Sequence, residues 1–489
     1  MNRRQFLWHA ALAAGSLSAC SLDRRSAQVG PLERGGRTKK VIVIGAGLAG
    51  LVAGYELIQA GHDVVIVEAR GWGGGRVHTI REPFSDGLYA EAGALFIPDN
   101  HHLTLKYVRL FNLPVQPATP LAAARLFYVR GRRIVANPGA KVEWPFELTA
   151  EERTLGHLGI WQKYIGAALK ELGDVTAPGW PSDLQLENYD RMSMAEFLRS
   201  QGAASGAVAL LRLGYLDLTG DGIESYSALR MLRDLAQREN ERQRYSVRGG
   251  NDLLPKAFAS RMAARIRYNA PVVRIEPGER SASVVITHAN EYEKLKADHV
   301  VCSVPFSVLR QIEISPPLSE PKRHAIEQLP YTSVARVYLQ SKRRIWVDEN
   351  PYVSVTTDLP IMWLFDHTAN QPGRRGILEG QAAGPQARRI TQMTESDLIS
   401  FTLEQTEKIF PGIRENFERG AAKCWDEDPW ARGAFAYFRP GQMQSLLPHI
   451  ARPEGRVHFA GEHTSPWPGW MQGALESGLR AAREINETP

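Results

Sequence analysis

The sequence predicts an α/β fold, with α+β character over the chain as a whole. Three observations predict it. A short β-branched run, Lys40-Val41-Ile42-Val43-Ile44, leads straight into a glycine-rich turn and a helical segment, the order of a buried parallel strand and its crossover helix. A second such run, Asp63 to Val67, follows that helix and ends in Glu68. With 489 residues, the chain is too long for one hydrophobic core, so two or three structural units are expected.

In chain order, residues 1–38 read as an export signal and linker. Arg3-Arg4-Gln5-Phe6-Leu7 resembles the twin-arginine export motif. The apolar stretch from Trp8 to Leu17 is too short to span a bilayer. Leu17-Ser18-Ala19-Cys20 then resembles a bacterial lipobox, whose cysteine would be lipidated. A basic region, an apolar region and a small-residue cleavage site in that order imply export. The expected location is periplasmic, or membrane-anchored through a lipid on Cys20. Gly30 to Thr38 is a polar linker with glycine and proline.

Between the first two strands stands Gly45-Ala46-Gly47-Leu48-Ala49-Gly50, and the helix that follows runs to about Ala60 and is closed by Gly61. Gly45 lets the chain turn tightly, Gly47 lets the backbone approach a pyrophosphate, and Gly50 lets helix and strand pack closely. The helix start offers free N–H groups to phosphates. Glu68, at the end of the second strand, is placed to accept hydrogen bonds from ribose hydroxyls. Strand, glycine motif, helix and acid together predict a Rossmann-like dinucleotide-binding domain.

Beyond Glu68 the chain reads Ala69-Arg70-Gly71-Trp72-Gly73-Gly74-Gly75-Arg76, and Glu91-Ala92-Gly93-Ala94 follows. Far downstream come Val247-Arg248-Gly249-Gly250 with Leu253 and Leu254, then Pro271-Val272-Val273-Arg274-Ile275 and the apolar strand from Ala297 to Pro305. Near the C-terminus, Arg456 to Phe459 is a strand that leads through Ala460-Gly461-Glu462-His463-Thr464 into Pro468-Gly469-Trp470-Met471-Gln472-Gly473-Ala474 and a helix from Leu475 to about Ile485. These separated motifs resemble, in order, those of the flavin amine oxidase and L-amino acid oxidase family. The resemblance covers most of the chain outside Ala150 to Arg244.

The resemblance implies FAD as cofactor. It places Arg70, Gly75 and Arg76 on the phosphate side, Gly93 and Ala94 along the flavin ring, and Val272 at the adenine. Gly461 and Glu462 would meet the ribityl chain, with Gly469, Trp470 and Met471 at the flavin ring. A helix start there favours reduced, anionic flavin. No cysteine occurs between Gly461 and Gly478, so FAD is expected to be held non-covalently.

The implied reaction is FAD-dependent oxidation of an amine C–N bond to an imine. It asks mainly for a dry aromatic pocket that aligns a C–H bond with flavin N5. Trp470 matches the family position beside the flavin, and Tyr437, Trp467, Trp363 and Phe365 are further aromatic candidates, the last two read as packing. L-amino acid oxidases carry a carboxylate-gripping arginine where Leu95-Phe96-Ile97-Pro98 puts Phe96, and their partner tyrosine aligns near Gln381. An amine lacking an α-carboxylate is therefore the expected substrate, with an amino acid as the alternative. Arg336 stands where the family usually has a lysine that holds a water near N5. Arginine differs in shape and stays protonated, so either O2 or another acceptor near the membrane is expected to reoxidise the flavin.

The domain plan places FAD binding in 39–95, 245–312 and 453–489, the substrate-binding mixed sheet in 96–149 and 313–452, and a helical insertion in 150–244. A hydrophobic fraction of 43% and a charged fraction of 23% are those of an ordinary globular protein. The net charge of +6 is concentrated partly in the N-terminal arginines, and the run from Arg230 to Arg248 mixes Asp234, Glu239 and Glu241 with its arginines. It reads as a solvated helix face, not a nucleic-acid site. The three cysteines, Cys20, Cys302 and Cys424, form no metal motif, and Cys302 is expected as a buried free thiol. A homodimer is the default assembly. Two other readings share this fold: a protoporphyrinogen oxidase or carotenoid desaturase, and a non-catalytic binding protein.

Overall fold

The computed structural model describes residues 32–33, 36–118, 125–137, 140–177, 179–181, 184–239, 241–289, 291–349 and 354–488. The export and lipobox motifs, including Cys20, lie outside these residues. The two strands expected at the start form as Lys40–Ile44 and Asp63–Val67, joined by the helix Leu48–Gln59. They are central in a five-stranded parallel sheet ordered 266–267, 63–67, 40–44, 299–302 and 457–459. Three distant parts of the chain thus build one sheet.

The β-branched run explains this placement. Val41 and Val43 bury into one core and Ile42 and Ile44 into another, each at most 4% exposed. A strand covered on both faces reads as continuous apolar sequence, because alternate side chains enter two separate cores. Each such residue stabilises the sheet by roughly 1.5–3 kcal/mol. Cys302 is buried at the end of the neighbouring strand, and Cys302 and Cys424 are both free thiols.

The second large sheet has seven strands, ordered 417–424, 334–341, 376–383, 363–366, 354–357, 125–129 and 132–136. All its pairings are antiparallel except that between 354–357 and 125–129, so the sheet is mixed. A three-stranded sheet of 97–98, 244–247 and 115–117 stands beside it. Between them in sequence, helices including Ala150–Trp161, Met194–Ser200, Ser205–Arg212 and Ala228–Glu239 form the helical region.

The Ala228–Glu239 helix corrects the expectation of a solvated face. Arg230, Arg233, Asp234 and Gln237 are all buried. Arg230 pairs with Asp234 at 2.5 Å, and the Tyr226 hydroxyl donates to Asp234 at 2.8 Å. Arg233 donates to the Val175 carbonyl at 3.0 Å and lies over the Trp180 ring. Arg230 and Asp234 sit inside the fold as an ion pair, and Arg233 is held by a carbonyl and an aromatic ring, since an unpaired buried charge would be costly.

Candidate active site

A cavity of about 770 Å³ runs from the glycine turn of the parallel sheet to the face of the seven-stranded sheet. At the sheet end, Gly45 takes a left-handed φ of +96°, and a Cβ on Gly50 would lie 2.0 Å from the Gly45 carbonyl oxygen. Gly50 therefore seals the helix against the turn from behind and does not line the cavity. Gly47 does line it, and a Cβ there would meet no atom of the described residues within 4 Å. The space in front of Gly47 is a cradle for a group the chain does not supply.

The acid expected at the ribose is buried beside this cradle. Glu68 accepts from the N–H of Ala46 at 2.7 Å and of Arg70 at 2.9 Å. Burial pushes its carboxyl above the usual range, against those N–H groups. Arg76 donates to Glu462 at 2.8 Å and to the Ala434 carbonyl at 2.9 Å. Glu462 also accepts from the Gly469 N–H at 2.7 Å, which fixes the loop before the last helix. That helix, Met471–Glu487, begins a turn earlier than the expected Leu475, because nothing after the Pro468-Gly469 turn prevents it. Its first turn, with Met471 and Ala474, opens on the cavity.

All the residues expected at FAD except Gly50 line this one cavity: Gly45, Gly47, Glu68, Arg70, Gly75, Arg76, Gly93, Ala94, Val272, Gly461, Glu462, Gly469, Trp470 and Met471. The open glycine cradle, the buried acid and the arginine fit an FAD dinucleotide. They would hold its ribose and phosphates at the parallel sheet and its ring near Gly93 and Trp470.

The other wall is set by strand register. Arg336 pairs with Gln381, Gln381 with Trp363, Trp363 with Thr356, and Thr356 with Phe127. Directly paired residues present side chains on one face of a sheet, so this row forms a continuous wall. All five residues line the cavity, joined by Phe96 and Trp470. The Gln381 side-chain oxygen is buried and has no hydrogen-bond partner among the described residues. Arg336 is held in place: it donates to the carbonyls of Glu91 at 3.1 Å and Gly93 at 2.9 Å and pairs with Glu379 at 3.3 Å. Burial would lower its guanidinium, but Glu379 and Tyr338 outweigh that and raise it.

Three aromatic assignments change. Tyr437, expected at the substrate, is 1% exposed and does not line the cavity; its ring stacks on Tyr226 at 5.6 Å, one layer behind the wall. Trp467, also expected there, lies off the cavity because its ring packs against His101, at 5.2 Å. His101 in turn meets the Trp470 ring edge-on at 4.9 Å. Burial lowers His101 to about 3, so a neutral imidazole sets the orientation of Trp470. Trp363, read as packing, lines the cavity, stacked on Phe365 at 5.1 Å. Sequence reasoning also missed Arg125, Arg238 and Arg244, which line the cavity from three separate segments. None of the three carried a local signal, because each stands in a different element and only packing brings them to one cavity.

The comparisons with known proteins agree with this geometry. The family model described as flavin containing amine oxidoreductase matches residues 48–486. A protein of Bacillus subtilis (strain 168) named "Putative L-amino-acid oxidase YobN" is 33% identical, over 92% of this chain and 95% of its own length. The L-amino-acid oxidase of Gloydius blomhoffii is 27% identical over 92% of this chain and 89% of its own. Among solved structures, cyclohexylamine oxidase from Brevibacterium oxydans IH-35A is similar at a TM-score of 0.80 and 22% identity, over 92% of this chain and 99% of that one. Putrescine oxidase bound to putrescine is similar at a TM-score of 0.76 and 20% identity, over 92% and 99%. The chain belongs to the flavin-containing amine oxidoreductase family and is an FAD-dependent oxidoreductase acting on amines.

Proposed function

We propose that the amine reacts in the space between Trp470 and the Gln381–Trp363 row, with its nitrogen on Gln381. The buried, unpartnered oxygen of Gln381 carries this reading. A buried acceptor without a donor costs about 1–3 kcal/mol, and an amine N–H entering the cavity would supply the donor. FAD held by these residues would supply hydride-accepting chemistry toward the carbon that bears the nitrogen. Trp363, Phe96 and Trp470 exclude water from that carbon and hold it in place. Neutral His101 keeps Trp470 upright without adding charge. The imine left behind is hydrolysed by water to a carbonyl compound and ammonia or a smaller amine. Substitution of Gln381 by leucine tests the reading: KM for the amine should rise with FAD content unchanged, and an unchanged KM would remove Gln381 from the site.

A second reading, in which the substrate is an L-amino acid, is favoured by the sequence likeness to L-amino-acid oxidases. It requires a cation for the carboxylate, which Phe96 is not.

The electron acceptor and the location are also proposals. Arg336 spends its bonds on Glu91, Gly93 and Glu379, which supports a positioning role at the flavin. Reoxidation is proposed to use O2 or a membrane-associated acceptor, and comparison of oxygen uptake with dye-linked turnover decides between them. Arg3-Arg4 and Cys20 support export and lipid anchoring. Cell fractionation of the native chain and a Cys20→Ala variant tests both.

A further inference from the structure

We propose that Arg125, Arg238 and Arg244 form a carboxylate-binding subsite in the substrate part of the cavity, so that the amine oxidised here carries a carboxylate. This deepens the amine reading above and rests on it.

The three guanidinium groups come from elements far apart in sequence. Arg125 begins the strand Arg125–Val129, Arg238 lies in the last turn of the helix Ala228–Glu239, and Arg244 begins the strand Arg244–Val247. All three line the cavity. Their charges are not balanced. Glu241 pairs with Arg244, Nη2 to Oε2 at 2.9 Å, and reaches Arg238 only at 4.0 Å. Among the described residues no acid pairs with Arg125. Asp234 also lines the cavity but is paired with Arg230, so among the described residues Glu241 is the one carboxylate that pairs with any of the three. Desolvation by the surrounding chain lowers the Arg125 guanidinium although the residue is largely exposed, and Arg238 and Arg244 add to this as like charges. His157, on the same wall, is lowered to about 4 by burial and then by Arg125, so it is neutral at pH 7 and leaves the arginines as the charges there. Gathering like charges in a partly desolvated cavity is unfavourable unless an anion enters it.

The rings under the arginines point the same way. Arg238 lies over Tyr215 at 3.9 Å and Arg244 over Phe96 at 5.1 Å, and both rings line the cavity. Stacking on aromatic faces holds a guanidinium while leaving its N–H edge for a carboxylate. Phe96 meets Phe365 at 5.5 Å, Phe365 stacks on Trp363, and Trp363 neighbours Gln381 in the sheet. The cationic cluster and the orphan amide oxygen are therefore parts of one cavity lining, with Arg125 three strands from Gln381 in the sheet, and a molecule whose nitrogen and carboxylate span them would satisfy both. The carboxylate of a substrate would take a two-point hydrogen bond from Arg125, as arginine and carboxylate geometry favours.

The test uses matched pairs that differ only in the carboxylate, such as 2-phenylethylamine with phenylalanine and isopentylamine with leucine, on the FAD-loaded enzyme. The expected result is that kcat/KM favours the carboxylate-bearing member. In Arg125→Gln that preference falls roughly 10- to 100-fold, through KM and not kcat, and Arg125→Lys restores part of it. Unchanged preference in Arg125→Gln, or a wild-type preference for the plain amine, would overturn the subsite and leave amine oxidation standing. Flavin reduction by neither member of any pair would overturn the amine reading and the subsite together. A measurement on the unsubstituted enzyme guards against a variant that fails to fold. The amine-free acid 3-phenylpropanoate should perturb the flavin absorbance and compete with substrate, and its amide should not; equal effects of the two would overturn the proposal.

Discussion

Arg76 and Glu462, 386 positions apart in the chain, are joined by a hydrogen-bonded ion pair of 2.8 Å at the cavity. The pair ties the segment after the second parallel strand to the loop before the last helix. Arg76 also donates to the Ala434 carbonyl and Glu462 accepts from the Gly469 N–H, so one contact organises three segments around the cofactor cavity.

Arg76→Ala should therefore lose FAD. It leaves Glu462 buried without its cation, at a cost of about 3 kcal/mol. The expected outcome is a flavin-to-protein absorbance ratio well below that of the parent after gel filtration, and a lower Tm that excess FAD only partly restores. Full flavin retention would contradict the placement of the phosphates at Arg76.

Two glycine substitutions should separate folding from cofactor binding. Gly50→Ala puts a Cβ 2.0 Å from the Gly45 carbonyl oxygen and should destabilise the protein with or without FAD. Gly47→Ala meets no atom of the described residues within 4 Å. It should change apo stability by about 1 kcal/mol or less yet weaken FAD by at least roughly tenfold, since its methyl group enters the space a pyrophosphate needs. Fluorescence titration of the apoprotein with FAD, beside thermal melts, checks both.

How far these features could be read in the sequence depends on how local they are. Gly45, Gly47, Glu68, Arg76 and Glu462 are each set in a short motif whose neighbours fix its geometry, and the structure brings them to one cavity. The aromatic wall was less legible. Tyr437 and Phe435 stand in one short segment, but only Phe435 lines the cavity, because Tyr226 screens Tyr437. The charged helix was misread because periodicity alone does not say which face is covered; the Arg230–Asp234 pair and Tyr226 become intelligible only when packed. The arginine cluster was invisible for the same reason, being assembled from three elements by tertiary packing.

Glu91 should make stability fall as pH rises. Burial pushes its carboxyl up to about 8, against hydrogen bonds from the Asn251 N–H at 2.7 Å and the Thr79 hydroxyl at 2.8 Å. A carboxyl raised above its unfolded value of 4.5 stabilises the fold fully below that pH. The contribution is lost as pH climbs toward 8, where the buried charge must form. Glu91→Gln cannot ionise and should flatten this part of the Tm profile. Parallel profiles for the two proteins between these pH values would show that Glu91 does not titrate there.

Gln381→Leu should raise KM for the amine by roughly tenfold, the value of a hydrogen bond to a polar or charged donor, while the flavin spectrum stays that of the parent. A fall in kcat with KM unchanged would mean that Gln381 acts on the flavin and not on the amine nitrogen.

The most direct test of amine oxidation at this cavity is anaerobic mixing of the FAD-loaded enzyme with amines and L-amino acids, followed by the visible absorbance of the flavin. Rapid loss of the oxidised flavin band is expected with amine-bearing compounds, and none with the matching alcohols or hydrocarbons. A flavin that stays oxidised through the whole amine panel would contradict amine oxidation here.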